Sequence, residues 1–175
     1  MTKIVLFFID LFDFFHKKKI LIFIKDHLKC KKFDLFLDVG GHRGETIDLF
    51  CKNFEIKKII SFEASPKNYK VLKSKLRLLK SKFVNTNILL ENLALGGENK
   101  TVYLKEFDES SSNTIKEIDQ NSNYFKKKFR LLNILKKKKI FQEIQIKLLR
   151  LDDYFKNEDI KDVDFLKIDT EGSEL

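Results

Sequence analysis

The chain has 175 residues, the size of one ordinary domain with one hydrophobic core, and 43% of them, including the 18 Phe residues, are apolar. The 35 Lys and Arg residues exceed the 26 Asp and Glu residues and give a formal charge of +9, which favours acidic partners. Only four of the basic residues are Arg, the side chain that recognition of base edges and phosphates prefers, so we expect no nucleic-acid partner.

Residues 1–32 are predicted to form an amphipathic helical extension. Asp10 and Asp13 interrupt its apolar run, so the segment suits neither a cleaved signal peptide nor a membrane span. Together with the basic segment Lys126–Lys139, it is a candidate for peripheral contact with an anionic membrane. The alternative is that its Phe residues pack on the domain that follows and that the Lys run is a solvated insertion.

The cysteine content argues against an oxidising compartment. Cys30 and Cys51 form no CxxC pair, so the sequence predicts neither a disulfide framework nor a zinc site. We therefore expect a cytoplasmic protein, with association at a membrane surface as the further hypothesis.

Residues 33–175 begin with alternating strands and helices. The run FDLFLDVG predicts a buried parallel strand, GGHRG a loop, and ETIDLFCKNF a helix. The run KKIISFEA predicts a second buried strand that ends at Glu63. Ser65 and Pro66 provide the N-cap and first-turn proline of a second helix. This order predicts an α/β domain with a parallel sheet.

The rest of the chain is predicted to add four strands. VNTNILLENLAL predicts a third strand, and TVYLKEF and EIQIKLLRL alternate as two strands that could pair with each other. A polar and basic insertion at about 108–140 separates these two. VDFLKIDTEGSEL predicts a last buried strand that ends in a group of acids.

The loop after the first strand excludes two nucleotide-binding motifs. A P-loop requires Lys and then Ser or Thr after the last glycine, whereas Glu45 and Thr46 follow here, and a carboxylate at that point would repel phosphate. A dinucleotide fingerprint requires GxGxxG, which is absent, and Asp38 would repel a diphosphate. The same carboxylate would attract a ligand that carries an ammonium or sulfonium group.

A third pattern fits the loop better. Asp38, Gly40 and Gly44 follow the spacing D-x-G-x-x-x-G, with a helix immediately after. Glu63 ends the second strand, where a carboxylate can accept both ribose hydroxyls. This arrangement resembles the site of the class I S-adenosylmethionine-dependent methyltransferases, which have a Rossmann-like sheet.

More specifically, the chain resembles the FkbM-type methyltransferases. The resemblance runs in order through FLDVGGHRGET, ISFEASPKNYKVLKSKL, NLALGG, TVYL with the SSSNT serines, LLRLDDYF and DFLKIDTEGSEL. Departures are Gly41 and His42, where Ala and Asn are commonest, and Ala64, where Pro is usual. The resemblance implies S-adenosylmethionine as cofactor and six residues that contact it: Asp38, Gly40 and Gly44 at the methionine end, Glu63 at the ribose, and Asn92 and Ala94 near the adenine. For Asn92, a turn cap is the alternative.

The resemblance also implies a reaction, in which a methyl group passes to a hydroxyl of a sugar, glycan or secondary metabolite. The hydroxyl proton requires a base, for which Asp169 and Glu171 are the candidates and His42 is less favoured. The carboxylates at 169, 171 and 174 could instead hold a divalent cation, but 169 and 171 share a strand face and no His joins them, so we expect no metal.

A class I methyltransferase sheet has seven strands, and the last motif of this chain corresponds to the fourth. We therefore expect a sheet truncated after its fourth core strand, which would leave an apolar edge. A second hypothesis follows for function, namely a non-catalytic methyltransferase-like protein that acts at a membrane surface or in an interaction.

Overall fold

A computed structural model describes residues 18–27, 31–107, 113–116 and 141–170. Its elements in chain order are α1 (18–27), β1 (Lys32–Val39), α2 (Glu45–Asn53), β2 (Glu55–Phe62), α3 (Pro66–Lys82), β3 (Asn87–Glu91), β4 (Ala94–Gly96), β5 (Lys100–Phe107), β6 (Phe141–Arg150), α4 (Leu151–Asn157) and β7 (Phe165–Ile168). Most of the predicted N-terminal helix, most of the predicted insertion and the final five residues lie outside the described ranges.

Four parallel strands form the central sheet in the order β3-β2-β1-β7. The register places Asp38 of β1 opposite Ser61 of β2 on one side and Lys167 of β7 on the other. The central strands β1 and β2 are buried on both faces, which explains the continuous apolar runs that predicted them. Strand β7 is not buried as predicted, because it lies at the edge of the sheet, where Leu166 and Ile168 are 41% and 46% exposed. The predicted α/β architecture with a parallel sheet is confirmed.

The two faces of the sheet carry separate cores. Successive residues of β1, Phe36 and Leu37, are both fully buried on opposite faces. The Phe36 face packs against α1, α2 and α3, and the Leu37 face packs against Tyr154 of α4. Leu21 and Ile24 of α1 belong to the first core, so this part of the predicted extension packs on the domain. Full burial of such side chains contributes about 1.5 to 3 kcal/mol each.

A second sheet has the order β4-β6-β5. Strands β5 and β6 are antiparallel partners, as their alternation suggested, and β4 runs parallel to β6. The predicted single third strand is wrong: β3 ends at Glu91, and Ala94 starts β4 opposite Leu148 in the second sheet. Between the two strands, the side chain of Asn92 donates to the carbonyl of Glu63 at 2.8 Å.

Helix α4 was not predicted at all. It has seven residues, too few for a helical period to stand out from the strand that precedes it. Asp152 and Asp153 in its first turn suit the positive end of the helix, and Tyr154 anchors it in the second core. Within the described ranges, no helix combines the length and apolarity needed to cross a bilayer.

Candidate functional site

The carboxyl ends of the four parallel strands meet at one edge of the sheet, and each carries an acid. Asp38 lies in β1, Glu63 follows β2, Glu91 ends β3, and Asp169 follows β7. Ligands of open α/β sheets bind at this edge. The acids differ in environment: Asp38 is fully buried, Glu63 is 7% exposed, and the side chain of Asp169 is 74% exposed.

The glycine-rich loop that follows β1 is fastened to the end of β2. The amides of Gly40 and Gly41 both donate to the carbonyl of Phe62 at 2.9 Å, and the amide of Gly44 donates to the carbonyl of Gly41. Gly40 and Gly44 have φ angles of 85° and 89°, in the left-handed region that favours glycine. His42 also has a positive φ, 47°, which a non-glycine residue rarely adopts.

Each glycine of the loop packs closely against protein atoms. A Cβ on Gly40 would overlap the carbonyl oxygen of Asp169, and one on Gly41 would overlap the hydroxyl of Ser61. A Cβ on Gly44 would lie 2.9 Å from a methyl group of Leu72. The resemblance assigned Gly40 and Gly44 to the methionine end of the cofactor. Packing against the backbone of Asp169 is by itself sufficient to require Gly40, whereas the atoms next to Gly41 and Gly44 belong to side chains.

Ser61 also explains one departure from the family pattern. Where Ala is commonest, this chain has Gly41, and the space that the missing methyl group would fill is occupied by the Ser61 hydroxyl. That hydroxyl donates to Oδ2 of Asp38 at 2.9 Å. Gly41 and Ser61 are therefore a matched pair, and the hydrogen bond to Asp38 depends on both.

Asp38 faces a cation of the protein itself. Nζ of Lys167 lies 3.1 Å from Oδ1 of Asp38, an ion-pair contact without hydrogen-bond geometry, and donates to the carbonyl of Gly40 at 2.9 Å. The same nitrogen lies 3.5 Å from Oδ2 of Asp169. Burial raises the pKa of Asp38, while Lys167 and Ser61 act in the opposite direction. Asp38 should therefore attract a cationic ligand less strongly than the sequence suggested, because its carboxylate is already paired with Lys167.

Sequence reasoning assigned no role to Lys167. The available signal was a lysine in a short, otherwise apolar strand, two residues before a predicted site acid, Asp169. A lysine in such a strand requires a partner. The sequence could not show that the partner is Asp38, because that depends on the register between β1 and β7.

Glu63 accepts two backbone hydrogen bonds that fix its position. Its Oε2 accepts from the amide of His42 at 2.7 Å, and its Oε1 accepts from the amide of Ser65 at 2.9 Å. Burial raises the pKa of Glu63, and these hydrogen bonds partly oppose the rise. The carboxylate thus joins the loop after β1 to the start of α3.

A polar network extends from Ser65 into the second sheet. The Ser65 hydroxyl accepts from the amide of Asn68 at 3.1 Å, which confirms the predicted N-cap, and donates to the buried carboxylate of Glu106 in β5. Gln142 of β6 donates to the other oxygen of Glu106 at 2.9 Å. The second sheet therefore supports the residues that hold Glu63.

The two residues predicted near the adenine lie in different settings. The Asn92 amide donates to the carbonyl of Glu63 at 2.8 Å, which is the turn-cap alternative and places Asn92 beside the predicted ribose acid. Ala94 is half-buried at the start of β4. Tyr154 donates to Oε1 of Glu91 at 3.2 Å and ties α4 to the same edge.

The candidate bases differ in their surroundings. The amide of Asp169 donates to the carbonyl of Val39 at 3.0 Å, which fixes its backbone at the edge while the carboxylate remains exposed. Glu171 lies outside the described residues. Nδ1 of His42 lies 3.4 Å from Oε2 of Glu45. Among residues 18–27, 31–107, 113–116 and 141–170, no group of three or more His, Cys, Asp or Glu side chains could hold a metal ion.

A parallel α/β sheet with a glycine loop after its first strand, and with acids at the strand ends, defines a domain that binds a small ligand at its carboxyl edge. The methyltransferase FkbM domain matches residues 38–175. The chain therefore belongs to the FkbM methyltransferase family, as its motifs indicated.

Curated proteins and solved structures show little further similarity to the chain. A search of curated proteins found no significant match. Among solved structures, the YcgJ protein from Bacillus subtilis is similar with 18% identity and a TM-score of 0.31, over 41% of this chain and 29% of that chain. This chain therefore spans less than a third of the YcgJ chain.

The matched pair of Gly41 and Ser61 predicts a specific coupling. Gly41→Ala should destabilise the protein by about 1 to 3 kcal/mol, because the new methyl group overlaps the Ser61 hydroxyl. Ser61→Ala removes the overlap but also the hydrogen bond to Asp38, so the loss in the double variant should be smaller than the sum of the two single losses. Urea unfolding of the two single variants and the double variant measures the coupling.

Gly97→Ala is the matched control, since a Cβ at that glycine meets no atom within 4 Å. It should change the free energy of unfolding by about 0.5 kcal/mol or less. Additive losses in the double variant would show that Ser61 is not what restricts position 41.

Proposed function

We propose that the protein binds S-adenosylmethionine at the carboxyl edge of the parallel sheet and transfers a methyl group to a hydroxyl of a sugar, glycan or secondary metabolite. Membership of the FkbM family supports methyl transfer and favours it over the non-catalytic hypothesis. The observation that carries the cofactor proposal is the nearly buried Glu63 carboxylate, held in place at the end of β2.

The residues at this edge fit the cofactor. The Glu63 carboxylate accepts from the amides of His42 and Ser65, and the Asn68 side chain also bonds it. Its two oxygens offer about four acceptor positions in all, so acceptor capacity remains for a ribose hydroxyl. Hydrogen bonds to a charged acceptor are worth about 1.5 to 3 kcal/mol each, enough to anchor a nucleoside.

The charges around Asp38 determine the electrostatics of the methionine end. S-adenosylmethionine supplies a methyl group on a positively charged sulfur that is already activated as a leaving group. Lys167 lies within ion-pair distance of both Asp38 and Asp169, so two carboxylates share one cation, and the exposed Asp169 is the one accessible to that positive charge. The loop from Gly40 to Gly44 contributes backbone rather than charge.

Asp169 is the proposed general base. Its exposed carboxylate, at the end of β7, is accessible to an acceptor hydroxyl, and Lys167 at 3.5 Å restrains its orientation. Methyl transfer to oxygen requires the two reactants to be positioned in line and the hydroxyl proton to be removed, and a carboxylate suffices for the second task. Glu171 remains the second candidate for this role, and we propose no metal.

The role of Glu63 is testable through the binding of S-adenosylhomocysteine. Glu63→Gln should weaken binding by about tenfold or more, because the charged acceptor is lost. Since burial raises the pKa of Glu63, the wild-type affinity should fall on acidification already above pH 4.5, the ordinary value, as the carboxylate is protonated. The variant should show no such fall. Calorimetry from pH 5 to 8 measures both effects.

Glu55→Gln is the control for this experiment. Glu55 lies at the opposite end of β2, exposed and paired with Lys32, so its replacement should leave affinity and pH dependence unchanged. If Glu63→Gln matched the wild type in affinity and in pH dependence, Glu63 would not be the ribose acceptor.

Replacement of Asp169 should affect the rate of methyl transfer and the binding of the cofactor differently. Asp169→Asn should keep its affinity for S-adenosylhomocysteine within about threefold and lose about a hundredfold or more in the rate of methyl transfer, because the base is missing. Transfer of labelled methyl groups to a panel of polyhydroxyl acceptors provides the assay, with the exposed Asp162→Asn as the control. Normal turnover with weakened binding would instead make Asp169 a binding contact.

A further inference from the structure

Helix α3 is the most strongly charged element of the described chain. Its 17 residues include no acid and these seven basic residues: Lys67, Lys70, Lys73, Lys75, Arg77, Lys80 and Lys82. Leu72 and Leu79 fix its inner face in the core beneath the sheet. The opposite face of the helix is therefore directed away from the core.

Most of these cations are not neutralised by the domain. Lys82 pairs with Asp48, and Lys75 donates to the carbonyl of Arg43 at 2.9 Å. Lys73 lies over the ring of Tyr69, 5.8 Å from its centre. The side chains of the other four, Lys67, Lys70, Arg77 and Lys80, form no hydrogen bond or ion pair with any described residue.

Helical spacing places four of these cations along one line and two aliphatic side chains along another. Lys70, Lys73, Arg77 and Lys80 follow one another three or four positions apart, which places them along one line; we name them the basic stripe. Val71 and Leu78, seven positions apart and 36% and 68% exposed, form a second line about 100° farther around the helix than Lys70 and Arg77. Val84, just beyond the helix, is 78% exposed. The outer face thus combines cations with exposed aliphatic groups.

The arrangement is unfavourable for the isolated domain. Like charges three and four positions apart repel each other, and no acid in α3 offsets them. Lys67 also lies in the first turn, at the positive end of the helix dipole. An anionic surface would relieve both effects, so the charge pattern indicates a partner with negative charge.

We propose that the outer face of α3 docks on an anionic lipid surface. Lipid fits better than nucleic acid because the outer face also exposes Val71 and Leu78, which would enter the boundary between headgroups and acyl chains. The stripe itself contains three Lys and one Arg. Docking requires no change of fold, since the inner face of the helix stays in the core. The proposal does not depend on methyl transfer.

Co-sedimentation of the whole chain with vesicles tests the proposal. The protein should bind vesicles of phosphatidylcholine with 30% phosphatidylglycerol, and binding should weaken as salt rises. A stripe variant with Lys70→Gln, Lys73→Gln, Arg77→Gln and Lys80→Gln should lose about 600-fold in partition, because each of the four cations near an anionic leaflet contributes about fivefold. Gln maintains helix propensity, so the variant should fold.

A control variant removes four positive charges outside α3. Lys31, Lys116, Lys147 and Lys161 are exposed outside α3, and their replacement by Gln should reduce binding by about threefold or less. Leu78→Gln should weaken the binding that persists in high salt. Both charge variants should bind S-adenosylhomocysteine like the wild type, which separates this test from that of the proposed function.

Three results would overturn the proposal. Equal losses in the stripe and control variants would mean that net charge alone attracts the protein. Equal binding to vesicles of pure phosphatidylcholine would remove the role of the anionic headgroups. Displacement from anionic vesicles by a 20-base-pair DNA duplex or RNA duplex, with binding of the duplex abolished by the stripe variant, would assign the face to nucleic acid.

Discussion

The ion pair between Asp38 and Lys167 is the interaction on which the carboxyl edge of this sheet depends. A fully buried carboxylate is costly without a cation, and Lys167 provides one from the neighbouring strand at 3.1 Å. The same nitrogen bonds the carbonyl of Gly40, so one side chain holds β1, β7 and the glycine loop together. Asp169, directly after β7, lies beside this contact, and its amide donates to the carbonyl of Val39.

The remaining features of the site extend outward from that pair. Ser61 bonds the other oxygen of Asp38 and leaves room only for glycine at position 41. The loop then brings the amide of His42 to Glu63, whose other oxygen holds the amide of Ser65. The carboxylate proposed to bind ribose is therefore positioned by the loop that the ion pair supports. The proposed docking of α3 uses the far side of the same helix layer.

The sequence predicted those features that depend on local pattern. Apolar runs identified β1, β2 and β7, and Ser65 with Pro66 marked the start of α3, because burial and capping leave signals within a few residues. The break after Glu91 is accompanied by the pairing of Ala94 with Leu148, a contact between distant segments, and α4 is too short to show a period. The partner of Asp38 depends on pairing between segments more than 120 residues apart, which a single sequence does not reveal.

A double-mutant cycle on the ion pair tests the central claim most directly. Lys167→Met should lower the free energy of unfolding by about 3 to 5 kcal/mol, because it leaves Asp38 buried without a cation. Adding Asp38→Asn should restore part of that loss, so that urea unfolding of the four proteins gives a coupling energy of about 2 kcal/mol or more. Losses that simply add, with a coupling energy near zero, would contradict the account.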